Sequence, residues 1–87
     1  MDNLTIGRDI YNVTRLMREM RIFLEGGMPA LWVAGEVSNL SRPVSGHLYF
    51  TLKDSHAQVK CVLFRNVRLR LRDEPANGRQ VVVRVRP

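Results

Sequence analysis

Two aromatic residues and two lysines, Tyr49, Phe64, Lys53 and Lys60, lie on a pair of short segments in which apolar residues alternate with others. In His47 to Lys53, the residues Leu48, Phe50 and Leu52 share one side, while His47, Tyr49, Thr51 and Lys53 share the other. That is the period of a half-buried strand. The run from Val59 to Arg65 behaves alike, with Val59, Cys61 and Leu63 opposed to Lys60, Val62 and Phe64. Asp54, Ser55 and His56 between the runs mark a hairpin turn. Any antiparallel register that joins the two apolar sets also gathers Tyr49, Lys53, Lys60 and Phe64 on the opposite face. With a four-residue loop of the expected kind, Tyr49 faces Phe64 and Lys53 faces Lys60. Rings on which bases stack, beside cations that attract phosphates, are what a single-stranded nucleic acid site needs. On the hairpin alone the first expectation is an amphipathic ribbon whose outer face is merely solvated.

The elements that must position this face flank it on both sides. Upstream, Ile10, Val13, Met17, Met20 and Leu24, with Leu16 and Phe23 beside them, form a helical stripe from about Arg8 to Glu25. Gly26 and Gly27 end it, the first as a left-handed cap. Pro29 then leads into a strand over Leu31 to Leu40, with Leu31, Val33 and Val37 on one face and Trp32, Ala34, Glu36 and Ser38 on the other. Gly35 in its middle predicts a bulge or bend, which lets one strand serve two sheets of a small barrel. Trp32 on the outer side is either a stacking platform or packed against the helix, and packing is the expectation. A turn-rich loop, Ser41 to Gly46, precedes the hairpin, and Arg42 within it is either solvated or within reach of a phosphate.

Downstream, Asn66 to Arg72 fits a strand or a short helix equally well, since arginine and leucine are good helix formers. Either way Arg68, Arg70 and Arg72 cluster, as a phosphate-tracking edge or a solvated face. Asp73, Glu74 and Pro75 stop that element, and Asn77-Gly78 is a turn. Gln80 to Arg86 is a last strand, with Val81, Val83 and Val85 opposed to Val82, Arg84 and Arg86.

The bulk composition bounds what such a chain can do. Eighty-seven residues make one small domain. Fourteen Lys and Arg against eight Asp and Glu leave a net charge of +6, placed mostly after Lys53, which favours a polyanionic partner. Cys61 is the only cysteine and faces inward, which excludes a disulfide within the chain. Neither a signal peptide nor a membrane span is expected, and the cytoplasm is the default compartment. Paired carboxylates, a nucleophile with its base, a metal ligand set and a phosphate loop are all missing, so neither catalysis nor a cofactor is expected from this chain alone.

A helix, four strands and a short intervening element describe most of an OB-fold, the small Greek-key barrel that binds nucleic acids on its second and third strands. The fold class expected is therefore mainly β with an N-terminal helix, truncated before the fifth strand. Residues 1–28 form the helical part, and 29–87 carry strands one to four of a fragment of a longer protein.

Three segments carry a resemblance to a known family. They run from Trp32 to Pro43 (WVAGEVSNLSRP), from Ser45 to Asp54 (SGHLYFTLKD) and from Ala57 to Arg65 (AQVKCVLFR). They resemble the N-terminal OB-fold domain of the exodeoxyribonuclease VII large subunit. The opening LTIGRDIYNVTRLMREM is similar to that family's short N-terminal helix, and NGRQVVVR to its fourth strand. Gly7 stands where the family tends to carry a helix-capping serine.

The resemblance settles Asn66 to Arg72 as a short helix. It implies a DNA-gripping module of a nuclease that works with small subunits and degrades single-stranded DNA to oligonucleotides, with its catalytic residues elsewhere. It also implies roles for the side chains of the hairpin face and its borders. Tyr49 and Phe64 would stack bases, Arg42, Lys53, Lys60 and Arg65 would meet phosphates, and His47 would make a polar contact. The competing expectation is an OB domain used as a protein-docking surface for subunit assembly.

Overall fold

A computed structural model describes residues 9–26 and 30–86. The elements are β1 (Ile10–Asn12), α1 (Val13–Gly26), β2 (Leu31–Ser41), β3 (Leu48–Lys53), β4 (Gln58–Leu63), α2 (Arg65–Arg68) and β5 (Gln80–Val85). β2 is the long central strand. Glu36 pairs with both Lys53 of β3 and Gln80 of β5, so these two neighbours lie on opposite edges of β2. β5 runs along the first half of β2 from Leu31 to Glu36, whereas β3 runs along the second half from Glu36 to Ser41. One strand thus holds two partners displaced along its length, and the sheet curls into a half-barrel. The mainly β fold with an N-terminal helix expected from the pattern is what forms, an OB-type half-barrel built on β2, β3, β4 and β5.

The additional strand was not foreseen. Ile10 to Asn12 pairs in parallel with Trp32 to Ala34. The helix accordingly begins at Val13, five residues later than the apolar stripe predicts, because Asn12 turns the chain. Its Oδ1 accepts the Arg15 N–H at 2.7 Å, as an N-cap does. Met17, counted in the stripe, is exposed, and over residues 13–20 the buried helical face is Val13 and Leu16 with Met20 packed against the core, whereas the side chains of Phe23 and Leu24 lie outside the described residues. Gly26 is the last helical residue, whereas Gly7, Gly27 and Pro29 lie outside the described residues.

The core sits on the inner face of the half-barrel under the helix. Tyr11, Val13, Leu16, Val33, Val37, Phe50 and Leu52 form its buried cluster, edged by Val59, Cys61, Leu63, Val81, Val83 and Val85. The alternation in each strand places these residues together, and each fully buried aliphatic side chain contributes about 1.5–3 kcal/mol. Cys61 is a free thiol whose pKa is pushed up by burial.

Gly35 serves a different purpose from the one its sequence position suggests. The register shift in β2 falls between Ser38 and Ser41, where Asn39 has a φ of 53°. Gly35 is buried, and a Cβ there would stand 2.8 Å from Leu52 Cγ and 3.0 Å from Val13 Cγ2. The glycine lets the helix start and β3 close onto β2. Gly35→Ala should therefore overpack the core and cost about 1–3 kcal/mol, read as a lower midpoint in urea; an unchanged midpoint would refute the contact.

The hairpin turn is tied to the helix by one carboxylate. Asp54 Oδ1 accepts from the Thr14 hydroxyl at 2.6 Å and from the backbone N–H groups of His56 and Ala57 at 3.0 Å each. Its Oδ2 accepts from the Thr14 backbone N–H at 2.7 Å, satisfying an orphan donor of the first helical turn. The Thr14 hydroxyl foremost, then these backbone donors, hold the Asp54 carboxyl far below the usual carboxylate range. In Asp54→Asn the amide nitrogen would face a donor in place of an acceptor. A carboxyl depressed in the folded state stabilises fully above its unfolded value near 4 and loses that contribution as the pH falls below it. The melting temperature of Asp54→Asn should therefore lie below that of wild type at pH 7, with the gap closing on acidification towards pH 3. A gap independent of pH would contradict this role.

Candidate nucleic-acid interface

The outer face of the sheet is built from the strand residues left over once the core is filled. Rows run across β2, β3 and β4: Ser41, Tyr49 and Val62; Ser38, Thr51 and Lys60; Glu36, Lys53 and Gln58. The parity expected from the sequence holds, since Leu48, Phe50 and Leu52 lie opposite Leu63, Cys61 and Val59. The register differs by two residues from the one expected. Tyr49 faces Val62 in place of Phe64, and Lys53 faces Gln58 in place of Lys60. The reason is Asp54, which opens the loop one residue earlier by bonding the His56 and Ala57 N–H groups, so that Lys53 and Gln58 become the last pair.

The shift sorts the face into an aromatic end and a charged end. Tyr49 remains 46% exposed and Phe64 55%, open enough for a flat ligand to reach either ring. Phe64 lies beyond the end of β4 in extended conformation, and its neighbour is His47, edge-on with centroids 5.5 Å apart. His47 Nδ1 accepts the Arg65 backbone N–H at 2.9 Å. A neutral imidazole so held carries its proton on Nε2 and offers it as a donor.

The cations do not form one patch. Lys53 is 3.5 Å from the Glu36 carboxylate, at the far end from the rings. Lys60 stands opposite Thr51 and has no ion pair among the described residues. Arg42 is ion-paired with Glu74 across the loop. Arg65 opens α2, and its aliphatic stem lies close to Gly46, where a Cβ would come within 2.9 Å of the Arg65 Cδ. Gly46 has a φ of +89°, so this loop needs glycine for its backbone as well as for the close approach.

The short helix expected over Asn66 to Arg72 is one turn, Arg65–Arg68, continued by hydrogen-bonded turns through Leu71. Two residues at this end carry more than their sequence context suggests. Arg68 donates from Nε to Glu74 at 2.6 Å and from a terminal nitrogen to the Gly46 carbonyl at 2.8 Å. Glu74 lies between Arg42 and Arg68, and the two guanidinium groups, Arg42 first, hold its carboxyl below its ordinary value. The signal available in the sequence was a carboxylate standing at the end of an arginine-rich stretch, there read only as a stop. Trp32, expected against the helix, lies on the opposite face of β2 from the core, with the Arg84 guanidinium 5.3 Å from its ring centroid.

Comparison with known proteins agrees with this geometry. The model of the family described as an OB-fold nucleic acid binding domain matches residues 11–87. The chain is similar to the exodeoxyribonuclease 7 large subunit of Thioalkalivibrio sulfidiphilus, 60% identical over 79 residues that make up 91% of this chain and 18% of that protein. To the subunit of the same name from Vibrio cholerae it is 49% identical over 86 residues, 99% of this chain and 19% of that protein. The chain thus spans less than a fifth of the length of these relatives. It belongs to the OB-fold nucleic acid binding domain family.

Proposed function

We propose that this family member binds single-stranded DNA across the outer face of β3 and β4, as the DNA-gripping module of a larger exodeoxyribonuclease whose catalytic residues lie outside these 87 residues. The observation that carries this reading is the exposure of the Tyr49 ring on β3 and of the Phe64 ring just past β4, beside an exposed Val62, while Leu48, Phe50, Leu52, Val59, Cys61 and Leu63 of the same strands turn inward. Two exposed rings at one end of the face, with Lys60 one row away and without an ion pair among the described residues, suit a flexible strand, because bases stack on aromatic faces while the backbone follows cations. A duplex would keep its bases stacked on one another and meet only the charge. His47 Nε2–H adds a donor beside the rings for a phosphate or base oxygen. The choice of DNA and of a nuclease that works with a small subunit rests on the names of the relatives, exodeoxyribonuclease 7 large subunits.

A second surface favours subunit docking in addition. Val67, Leu69 and Leu71 are exposed on and after α2, and Leu69 is 72% exposed. Capture of a small subunit that withstands both salt and added oligonucleotide, and is lost in Leu69→Ala, would assign this second surface to docking.

Anisotropy titrations with labelled oligothymidine and with a duplex at several salt concentrations test the reading. Single-strand binding should exceed duplex binding and persist in part at high salt, since stacking is less screened than charge. Tyr49→Ala and Phe64→Ala should each weaken it by about 1–3 kcal/mol while melting as wild type does. Equal loss of both ligands with salt, and unchanged affinity in both variants, would remove the stacking face. The pairing of Lys53 with Glu36 predicts a further ordering. Lys60→Ala should lower the single-strand salt slope by about 0.7, and Lys53→Ala by less; the reverse order would place the strand at the other end of the sheet.

A further inference from the structure

We infer that Arg42 and Arg68 form a phosphate subsite beside the aromatic end of the sheet, and that Glu74 occupies it as a resident counter-anion which a phosphate of the bound strand displaces. The inference rests on the single-strand reading above and deepens it.

Three arginines converge on one loop. Arg42 belongs to the loop itself and follows Ser41, whose partner in the sheet is Tyr49. Arg65 packs its stem against Gly46, and Arg68 donates to the Gly46 carbonyl at 2.8 Å. Gly46 immediately precedes His47, the ring neighbour of Phe64. The guanidinium cluster therefore borders both exposed rings, where the backbone of a strand stacked on them must pass.

Within the cluster a single carboxylate does what a phosphate would do. Glu74 presents one oxygen to Arg42 and the other, at 2.6 Å, to Arg68 Nε. Two oxygens, each taking one charge-assisted hydrogen bond from a different guanidinium group, occupy donors of the kind with which arginines hold phosphate. The bridge is also open to exchange. The side chains of Arg42 and Glu74 are 48% and 36% exposed, and among the described residues no backbone donor holds Glu74. Exposed ion pairs contribute little net stability. A phosphate can take over the same donors while its other contacts, the stacked bases, remain out of reach of Glu74. Arg68 keeps its hold on Gly46 throughout, so the subsite stays positioned when the anion changes.

The test is titration of labelled oligothymidine into wild type, Glu74→Gln, Asp73→Asn, Arg68→Ala and the double variant Arg68→Ala/Glu74→Gln. Asp73→Asn makes the same change in net charge at an adjacent side chain with no ion pair among the described residues. Glu74→Gln should bind about three- to ten-fold more tightly at low salt, with a salt slope steeper by about 0.7, and Asp73→Asn should gain less. Arg68→Ala should weaken binding and abolish the gain in the double variant. In the wild-type chain the Arg68 Nε–H resonance should move as oligothymidine is added. Glu74→Gln no tighter than Asp73→Asn, or a stationary Arg68 resonance while wild type binds, would overturn the subsite and leave the stacking face standing. Failure of wild type to prefer the single strand would overturn both.

Discussion

The register of this sheet depends on the Asp54 carboxylate. A hairpin whose two strands alternate is free to slip by two residues without moving a single side chain to the wrong face. Asp54 removes that freedom by closing the four-residue loop on its own side chain, with the His56 and Ala57 N–H groups as donors. The same carboxylate reaches out of the sheet to both donors of Thr14 and so fixes the helix on the turn. Everything that touches the outer face follows. Tyr49 lies beside Val62, Phe64 is left for His47, and the two lysines stand in different rows.

That dependence explains what could and could not be read from the residues alone. Alternation is a property of one strand, so Leu48, Phe50 and Leu52 declared their face without reference to any partner. The same held for Val81, Val83 and Val85, which do turn inward. Register is a property of two strands and a turn, and it was decided by a hydrogen-bonding pattern at Asp54 that periodicity does not carry. The start of the helix was misread for a related reason. Ile10 continues the apolar spacing of the helix, yet its backbone finds a partner in Trp32, and Asn12 offers a cap that ends the strand. Tertiary pairing overrode a local pattern there.

The candidate site was legible in composition more than in geometry. His47, Phe64 and Arg65 do come together, because strand ends that share a face must share a neighbourhood, and Tyr49 lies on the same face opposite Val62. Lys53 does not join them, and Arg42 arrives already paired. The partners that decide this, Glu36 and Glu74, lie 17 and 32 residues away in the chain. No short-range pattern connects residues so separated, and only the fold shows which cations are free.

The two carboxylates at the borders of this face illustrate how surroundings decide what an acid can do. Asp54 accepts from three backbone N–H groups and a hydroxyl, all part of the fold itself. Replacing it with an external anion would require the turn and the helix to come apart, so Asp54 is structural whatever the ligand. Among the described residues Glu74 accepts only from two guanidinium groups, that of the exposed Arg42 and that of the half-buried Arg68. Those donors lose nothing by exchanging one anion for another, since the loop they frame is held separately through Gly46. A depressed carboxyl is common to both residues, and the identity of the donors separates a fixed joint from a replaceable one.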